Sequence, residues 1–216
     1  MTGLLRWIGV ALAVGCGVAP VAAQGPALWA GATLVGIRAQ GDGSLGPART
    51  AGTVLGGLVT ARRGKFELEG RYLQGVLQPQ DDASPRRDLV QGQLVLGFRA
   101  TPWLSAHTGP RARSYITPAG TERWLVWLLG GRVESPIVGT TVRGHVELWR
   151  ALALSANVGS DVGRTGRGGD AGVTVQPPGG PVWFRLAYGI DQNAVRGAAR
   201  RETVEEFTLT VGVRRR

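Results

Sequence analysis

The chain of 216 residues contains very little cysteine, histidine or lysine, and after its N-terminal segment it has no long apolar run. Its one cysteine, Cys16, lies within the first 23 residues, so the rest of the chain can form neither a disulfide nor a cysteine metal site. Beyond residue 23 no apolar stretch reaches the roughly 20 residues that a spanning helix needs. This excludes a helical membrane protein, and the lack of any amphipathic stripe of period 3.6 disfavours helices altogether.

The first 23 residues have the three parts of an export signal. Arg6 supplies the positive charge, Trp7–Val14 the apolar run, and Val21 and Ala23 the small residues before a cleavage point. We therefore expect a signal peptide over 1–23 and a single domain over 24–216. The alternative is a lipoprotein cleaved before Cys16, although the three residues before this cysteine lack the usual leucine.

The net charge of +10 comes almost entirely from arginine, with Lys65 the only lysine. Removal of 1–23 takes away Arg6 and no acid, leaving +9. Such an excess favours an anionic neighbour, either lipid phosphate or nucleic acid. Nucleic acid is disfavoured because the arginines are scattered over alternate strand positions and loops instead of forming one patch with stacking aromatics.

From Pro26 onward the sequence is built of segments of about 10 residues that alternate apolar and polar side chains. In the clearest, Lys65–Val76, the apolar side chains share one face and the charged ones share the other. The same alternation runs through 89–100, 182–190 and 206–213. The sequence predicts an all-β fold.

The connections between these segments alternate between tight turns, as at Arg63-Gly64, and longer polar stretches such as 78–87, 116–122 and 192–202. Short turns at one end and long loops at the other are typical of a closed up-and-down antiparallel barrel. Reading 141–158 as one strand, on the argument that its apolar parity is unbroken, gives ten strands; eight and twelve stay as alternatives. A soluble periplasmic β-sandwich would show the same alternation.

With its signal-like segment, its strand rhythm and its terminal Phe207–Val213, the sequence resembles the small bacterial outer-membrane β-barrel superfamily. The resemblance covers nearly all of 24–216 and implies a transmembrane barrel in the outer membrane, in contact with its lipid and lipopolysaccharide and inserted by the barrel-assembly machinery. The chain departs from the superfamily at its last residues, Arg214–Arg216, where members usually end on an aromatic residue.

On the barrel interpretation, the apolar face contacts lipid, and Trp29, Trp103 and Trp183 form interface girdles because they lie near strand starts. The polar face lines the lumen with Glu67, Glu69, Arg71, Arg99, His107, Arg111, Arg113, Arg132, Arg143, His145, Glu147, Arg185 and Glu206.

Mixed charges in a narrow lumen must be paired, which predicts a plugged barrel. The excess of arginine over acid leaves open a narrow porin-like channel for small anions.

Arginines of the connecting stretches are candidates for lipopolysaccharide phosphate, provided that these loops face outward: Arg86, Arg87, Arg164, Arg167, Arg196, Arg200 and Arg201. The segment Gly163–Gly172 is glycine-rich but lacks the lysine and following helix of a phosphate loop, and we expect a flexible outer loop there.

Catalytic and metal motifs are weak. His145 lies two residues from Glu147 on one face, yet no motif places a serine or cysteine nucleophile beside either histidine. Asp81 and Asp82 fit a solvated turn better than a cation site. We therefore expect no cofactor, no metal and no enzyme activity, and a structural or loop-mediated role; a lipid-acting membrane enzyme using His107 or His145 is a further alternative. The oligomeric state stays open.

Overall fold

The computed structural model describes residues 26–43, 46–157, 164–195 and 200–215. Ten strands account for most of them: β1 Ala27–Gly43, β2 Gly46–Arg63, β3 Phe66–Pro79, β4 Arg87–Arg99, β5 Leu104–Thr117, β6 Gly120–Val138, β7 Val142–Ala156, β8 Arg164–Val175, β9 Val182–Val195 and β10 Arg200–Arg215. Among the described residues, no helix has the length and apolar character needed to cross a membrane. The predicted signal segment, residues 1–23, and Cys16 within it lie outside the described residues.

Every strand pairs antiparallel with its neighbours in sequence, and β1 also pairs with β10, from Leu28 opposite Arg215 to Gly41 opposite Glu202. The sheet is therefore closed, which leaves no unpaired edge. The predicted all-β, up-and-down barrel of ten strands is confirmed, and the β-sandwich is not the fold. We call the end with both described termini and the connections 64–65, 100–103, 139–141 and 176–181 the turn end, and the opposite end the loop end.

Alternating side chains give the barrel two contrasting faces. Outward positions carry large exposed hydrophobic side chains on every strand except β8, among them Leu55, Phe66, Leu148 and Phe207. Inward positions of the same strands carry most of the charged side chains. A strand of 12 residues, the length of β8, spans about 30 Å at a tilt of roughly 40°, more than the apolar band of about 25 Å in outer-membrane barrels.

Strand β7 is a single strand, as predicted, but the predicted reason was wrong. A β-bulge shifts its register against β6 between Trp127 and Leu128, which pair with Ala153 and Ala151. The skipped residue, Leu152, is 62% exposed, whereas Leu154 is 8% exposed inside the barrel. The bulge therefore moves the inward positions from odd to even residue numbers. The even-numbered apolar residues of β7 consequently face outward before the bulge and into the lumen after it.

Several predicted loops are instead strand ends. The stretch 116–122 is strand except for the connection 118–119. In the stretch 192–202, residues 192–195 and 200–202 belong to strands, and 196–199 lie outside the described residues. These stretches read as loops because polar residues accumulate there, but Thr117, Glu122, Asn193 and Glu202 are buried inside the barrel. Consequently the contrast between long and short connections is weaker than predicted.

The predicted flexible loop at 163–172 is also wrong, because residues 164–175 form β8. Its inward glycines leave room for large side chains of the adjacent strands. A Cβ on Gly168 would lie 2.6 Å from the Trp149 ring, and one on Gly172 would lie 2.7 Å from His145 Cε1. The glycine content of β8 is thus a packing requirement of the lumen.

Candidate functional site in the barrel lumen

All thirteen side chains predicted to line the lumen occupy inward positions of the strands. Most of them are buried or partly buried; Arg143 is the most open of those in ion pairs, with a side chain 41% exposed. The interior also holds charged residues that the predicted lumen set did not include: Arg62, Arg87, Glu122, Glu134, Arg164, Asp170, Asp191, Glu202 and Arg214.

Arg113 is the centre of an ion-pair network in the middle of the lumen. Its side chain is 3% exposed, and its Nη2 lies 2.8 Å from Asp191 and 3.3 Å from Glu206, while its Nη1 lies 3.2 Å from Glu202. Its Nε donates to the Gln91 side-chain oxygen at 2.7 Å.

Neighbouring side chains complete the pairing of these carboxylates. Arg111 also pairs with Asp191, Arg71 donates to Glu206 at 2.9 Å, and Tyr115 donates to Glu202 at 2.6 Å. We call Arg71, Gln91, Arg111, Arg113, Tyr115, Asp191, Asn193, Glu202 and Glu206 the Arg113 network. Such pairing is what buried charges require, because an unpaired one costs several kcal/mol.

A second group of charges lies nearer the turn end. Glu147 lies 2.9 Å from Arg132 Nε and 3.2 Å from His107 Nε2, within ion-pair distance of both. Glu134 pairs with Arg143 at 3.2 Å and with Arg99 at 3.6 Å. These contacts cross from strand to strand and tie β4, β5, β6 and β7 together on the inside of the barrel.

The two histidines occupy structural positions within these ion pairs. His145 Nε2 lies 2.8 Å from Asp170, and both histidine side chains are buried. Among the hydrogen bonds of the described residues, neither histidine contacts a serine hydroxyl, so no nucleophile is paired with a base. In the same part of the chain, no group of three or more His, Cys, Asp or Glu side chains is arranged to hold a metal ion.

Apolar side chains fill the loop half of the lumen alongside the Arg113 network. They form one cluster, and Leu73, Leu77 and Leu89 within it have no exposed surface, while Trp124 and Leu128 are 1% exposed. Inward side chains that water cannot touch cannot line an open passage. In the described residues, then, the lumen is closed in its loop half.

The turn half of the lumen contains a cavity of about 260 Å³, which we call the vestibule. Six arginines and three glutamates contribute to its lining, together with Trp29, Trp183 and Thr174. A smaller cavity of about 80 Å³ lies deeper, between the vestibule and the Arg113 network. The vestibule is therefore closed at its inner end by the side chains of the Arg113 network and the apolar cluster.

The predicted loop arginines are not gathered on outer loops. Arg86 is exposed in the connection 80–86, as predicted. Arg87 is the clearest error: it begins β4, is 6% exposed, and lies inside the barrel 3.6 Å from Glu122. Arg164 also faces inward at the start of β8, and Arg167 lies on the outer face of the same strand.

The last three of these arginines lie around the connection between β9 and β10. Arg200 and Arg201 belong to strand β10, and Arg196 lies outside the described residues.

Two of the three predicted girdle tryptophans face inward. Trp183 is 3% exposed, and Trp29 lies between Arg62 and Arg214, each 4.9 Å from its ring centroid. Only Trp103, 54% exposed in the connection after β4, is placed as a girdle residue would be. The starts of β1 and β9 were identified correctly, but the parity of these two residues places their rings in the lumen.

The lumen residues that sequence analysis missed were within reach of the same parity argument. Asp191 and Asn193 continue the inward series of Arg185 along β9, and Glu202 continues that of Glu206 along β10. They were missed because polar residues near strand ends resemble loops. Asp170 was missed for a different reason, since its glycine-rich surroundings disguised β8.

No protein-family model matches this chain. No curated protein matches it either. Solved structures with a similar fold include Neisserial surface protein A (14% identity, 87% of this chain and 97% of that chain, TM-score 0.38) and the translocator domain of the autotransporter NalP from Neisseria meningitidis (13%, 88% and 88%, 0.43). A third is Ail, the attachment invasion locus protein of Yersinia pestis (12%, 88% and 99%, 0.37).

At these identities the likeness concerns the fold alone. The assignment therefore depends on the closed ten-strand ladder and on the contrast between its two faces. The chain forms a closed ten-stranded, up-and-down antiparallel β-barrel with an apolar outer face and a charged interior.

Proposed function

We propose that this chain is an outer-membrane β-barrel with a closed lumen, whose role is structural or is carried by its surface loops, and not by solute passage or catalysis. The observation that carries the proposal is the filling of the loop half of the lumen by the apolar cluster and the ion-paired Arg113 network. The outer face supports the membrane location, since a soluble monomer rarely exposes so large a continuous apolar surface.

Orientation follows from the ends of the barrel. Outer-membrane barrels have short turns on the periplasmic side and longer loops outside. On that rule the turn end, with its vestibule, faces the periplasm, and the loop end, with the described connection 80–86, faces the exterior. Partners of these loops, including lipopolysaccharide phosphate near Arg86, belong to the proposal.

The membrane location is tested by fractionation. We expect the mature chain in the outer-membrane fraction, resistant to carbonate extraction, and running at a different gel position before and after boiling, because a closed barrel resists unfolding by detergent. Release by carbonate without a heat shift would contradict the location.

The closed lumen is tested by conductance in planar bilayers. We expect purified, heat-modifiable barrel to produce no discrete conductance steps, alongside a known porin as the positive control for insertion. Anion-selective steps from the wild-type chain would instead support the alternative function, a narrow porin-like channel for small anions.

A lipid-acting enzyme is the second alternative and is separated by a different assay. Phospholipid or lipopolysaccharide turnover by the wild type, lost in both His107→Gln and His145→Gln while the heat shift persists, would support it. We expect no turnover, because both histidines are held by carboxylates inside the barrel.

A further inference from the structure

We propose that the vestibule is a binding site for a small oxyanion, phosphate or carboxylate, and that Arg185 is its principal ligand. This inference concerns the lumen and would hold whatever the loops of the barrel do. The vestibule lies at the turn end and has a volume of about 260 Å³, slightly below the usual range of small-molecule pockets. It therefore fits a small anion and its hydration water.

The charge of the lining favours an anion. Six arginines oppose three glutamates around the vestibule, and two of these glutamates are already engaged. Glu67 pairs with Arg62, and Glu134 is shared by Arg99 and Arg143. The third, Glu69, accepts a hydrogen bond from Thr60 at 3.5 Å and has no arginine within ion-pair distance among the described residues.

Arg185 is a lining cation that this arrangement leaves without a carboxylate in ion-pair contact, even though Glu69 lines the same cavity. It forms no ion pair with any described residue, and its one hydrogen bond is a long one, from Nε to Thr174 Oγ1 at 3.4 Å. A charge in a partly buried site normally has a carboxylate partner. The missing negative charge is what a bound oxyanion would supply.

The surroundings of Arg185 hold it in place while leaving its terminal nitrogens for a ligand. Its guanidinium carbon lies 5.7 Å from the centroid of the Trp183 ring, in range of a cation–π contact. Thr174 engages only Nε, so both Nη atoms remain to donate to two oxygens of one ligand. Bidentate donation of this kind is the preferred mode of guanidinium toward phosphate and carboxylate.

The test measures phosphate binding to the full barrel refolded in a nonionic detergent. Isothermal titration with inorganic phosphate, at ionic strength held constant with sodium chloride, is expected to give saturable binding. Arg185→Gln is expected to weaken it by about tenfold or more, the loss of one charge-assisted contact. Arg185→Lys keeps the positive charge but loses the planar guanidinium group. Its affinity for phosphate should lie between those of the wild type and Arg185→Gln.

The matched control is Arg167→Gln, the same change at an outward position of β8 where the side chain donates to Gln192. It should bind phosphate like the wild type. Because Arg185→Gln breaks no ion pair, it should also keep the heat shift, and its unfolding temperature should no longer rise with added phosphate.

Three results would overturn the proposal: no saturable binding by the wild type in the millimolar range, equal binding by Arg185→Gln, or an equal loss in the Arg167→Gln control. Titration with succinate in place of phosphate then separates carboxylate from phosphate as the preferred chemistry. A wild type that saturates with either anion, and an Arg185→Gln barrel that saturates with neither, would establish the site.

Discussion

At the scale of single residues, the lumen is organised by guanidinium groups that each serve several carboxylates. Arg113 contacts three acids from β9 and β10 as well as Gln91 from β4. Arginine suits this task because its planar fork presents five donors in fixed directions. Lysine, with one point charge, could not bridge strands on opposite walls of the barrel in the same way.

Replacing Arg113 with methionine should destabilise the barrel by about 3–5 kcal/mol, because three buried carboxylates lose a shared partner. The control is Arg38→Met, which removes an outer pair with Glu205 at 3.8 Å, whose arginine side chain is 62% exposed. That pair should be worth at most about 1 kcal/mol. Urea unfolding in lipid vesicles, followed by tryptophan fluorescence, measures both; equal losses would show that the Arg113 network is not a stabilising hub.

At the scale of elements, β7 shows how a strand can change which of its residues face the lumen without ending. Before the bulge its inward residues are His145, Glu147 and Trp149, and after it they are Leu154 and Ala156. The bulge therefore lets one strand supply charges to the turn half and apolar packing to the loop half. Deleting Leu152, the residue that the β6–β7 pairing skips, should remove the bulge and leave every other side chain of β7 on its present face.

The barrel lacking Leu152 should accordingly fold, keep its heat shift and retain stability within about 1 kcal/mol of the wild type. Deletion of Val146 is the contrasting change in the same strand, since it would turn either His145 or Glu147 out toward the membrane. We expect that variant to lose the heat shift. If both deletions behave alike, the bulge does not set the register of β7.

At the scale of the whole molecule, the barrel inverts a soluble protein: its apolar side chains face outward and its charged ones inward. The cost of placing a charge on the outer face should then depend on depth. Leu148 lies midway along β7 and is 68% exposed, whereas Ile137 lies near the turn end of β6 and is 60% exposed. Similar exposure makes the two a matched pair.

Leu148→Arg should destabilise the barrel in phospholipid vesicles by about 2–4 kcal/mol, and Ile137→Arg by about 0–1 kcal/mol. The physical reason is that a charge at the bilayer midplane must leave water, whereas one near the interface stays hydrated. Unfolding titrations of the refolded variants measure the difference. Equal costs would mean that the outer face does not sit in a bilayer.

The sequence by itself determined the fold class and the face of most side chains, because a period of two is a local property that can be read residue by residue. It favoured ten strands but left eight and twelve open. Only the tertiary structure decided how neighbouring strands fit together. The bulge in β7 and the inward glycines of β8 depend on neighbouring strands, and no local pattern encodes them. Trp29 and Trp183, by contrast, face inward by simple parity, Trp183 on the same face of β9 as Arg185, so their position was within reach of the sequence.

The closed loop half and the unpaired Arg185 follow from which walls of the barrel face each other. That arrangement is a consequence of closure, which brings residues far apart in sequence into one lumen. Alternation assigned Arg185 to the inside, but only the closed barrel showed which inward arginines have an acid within reach and which do not.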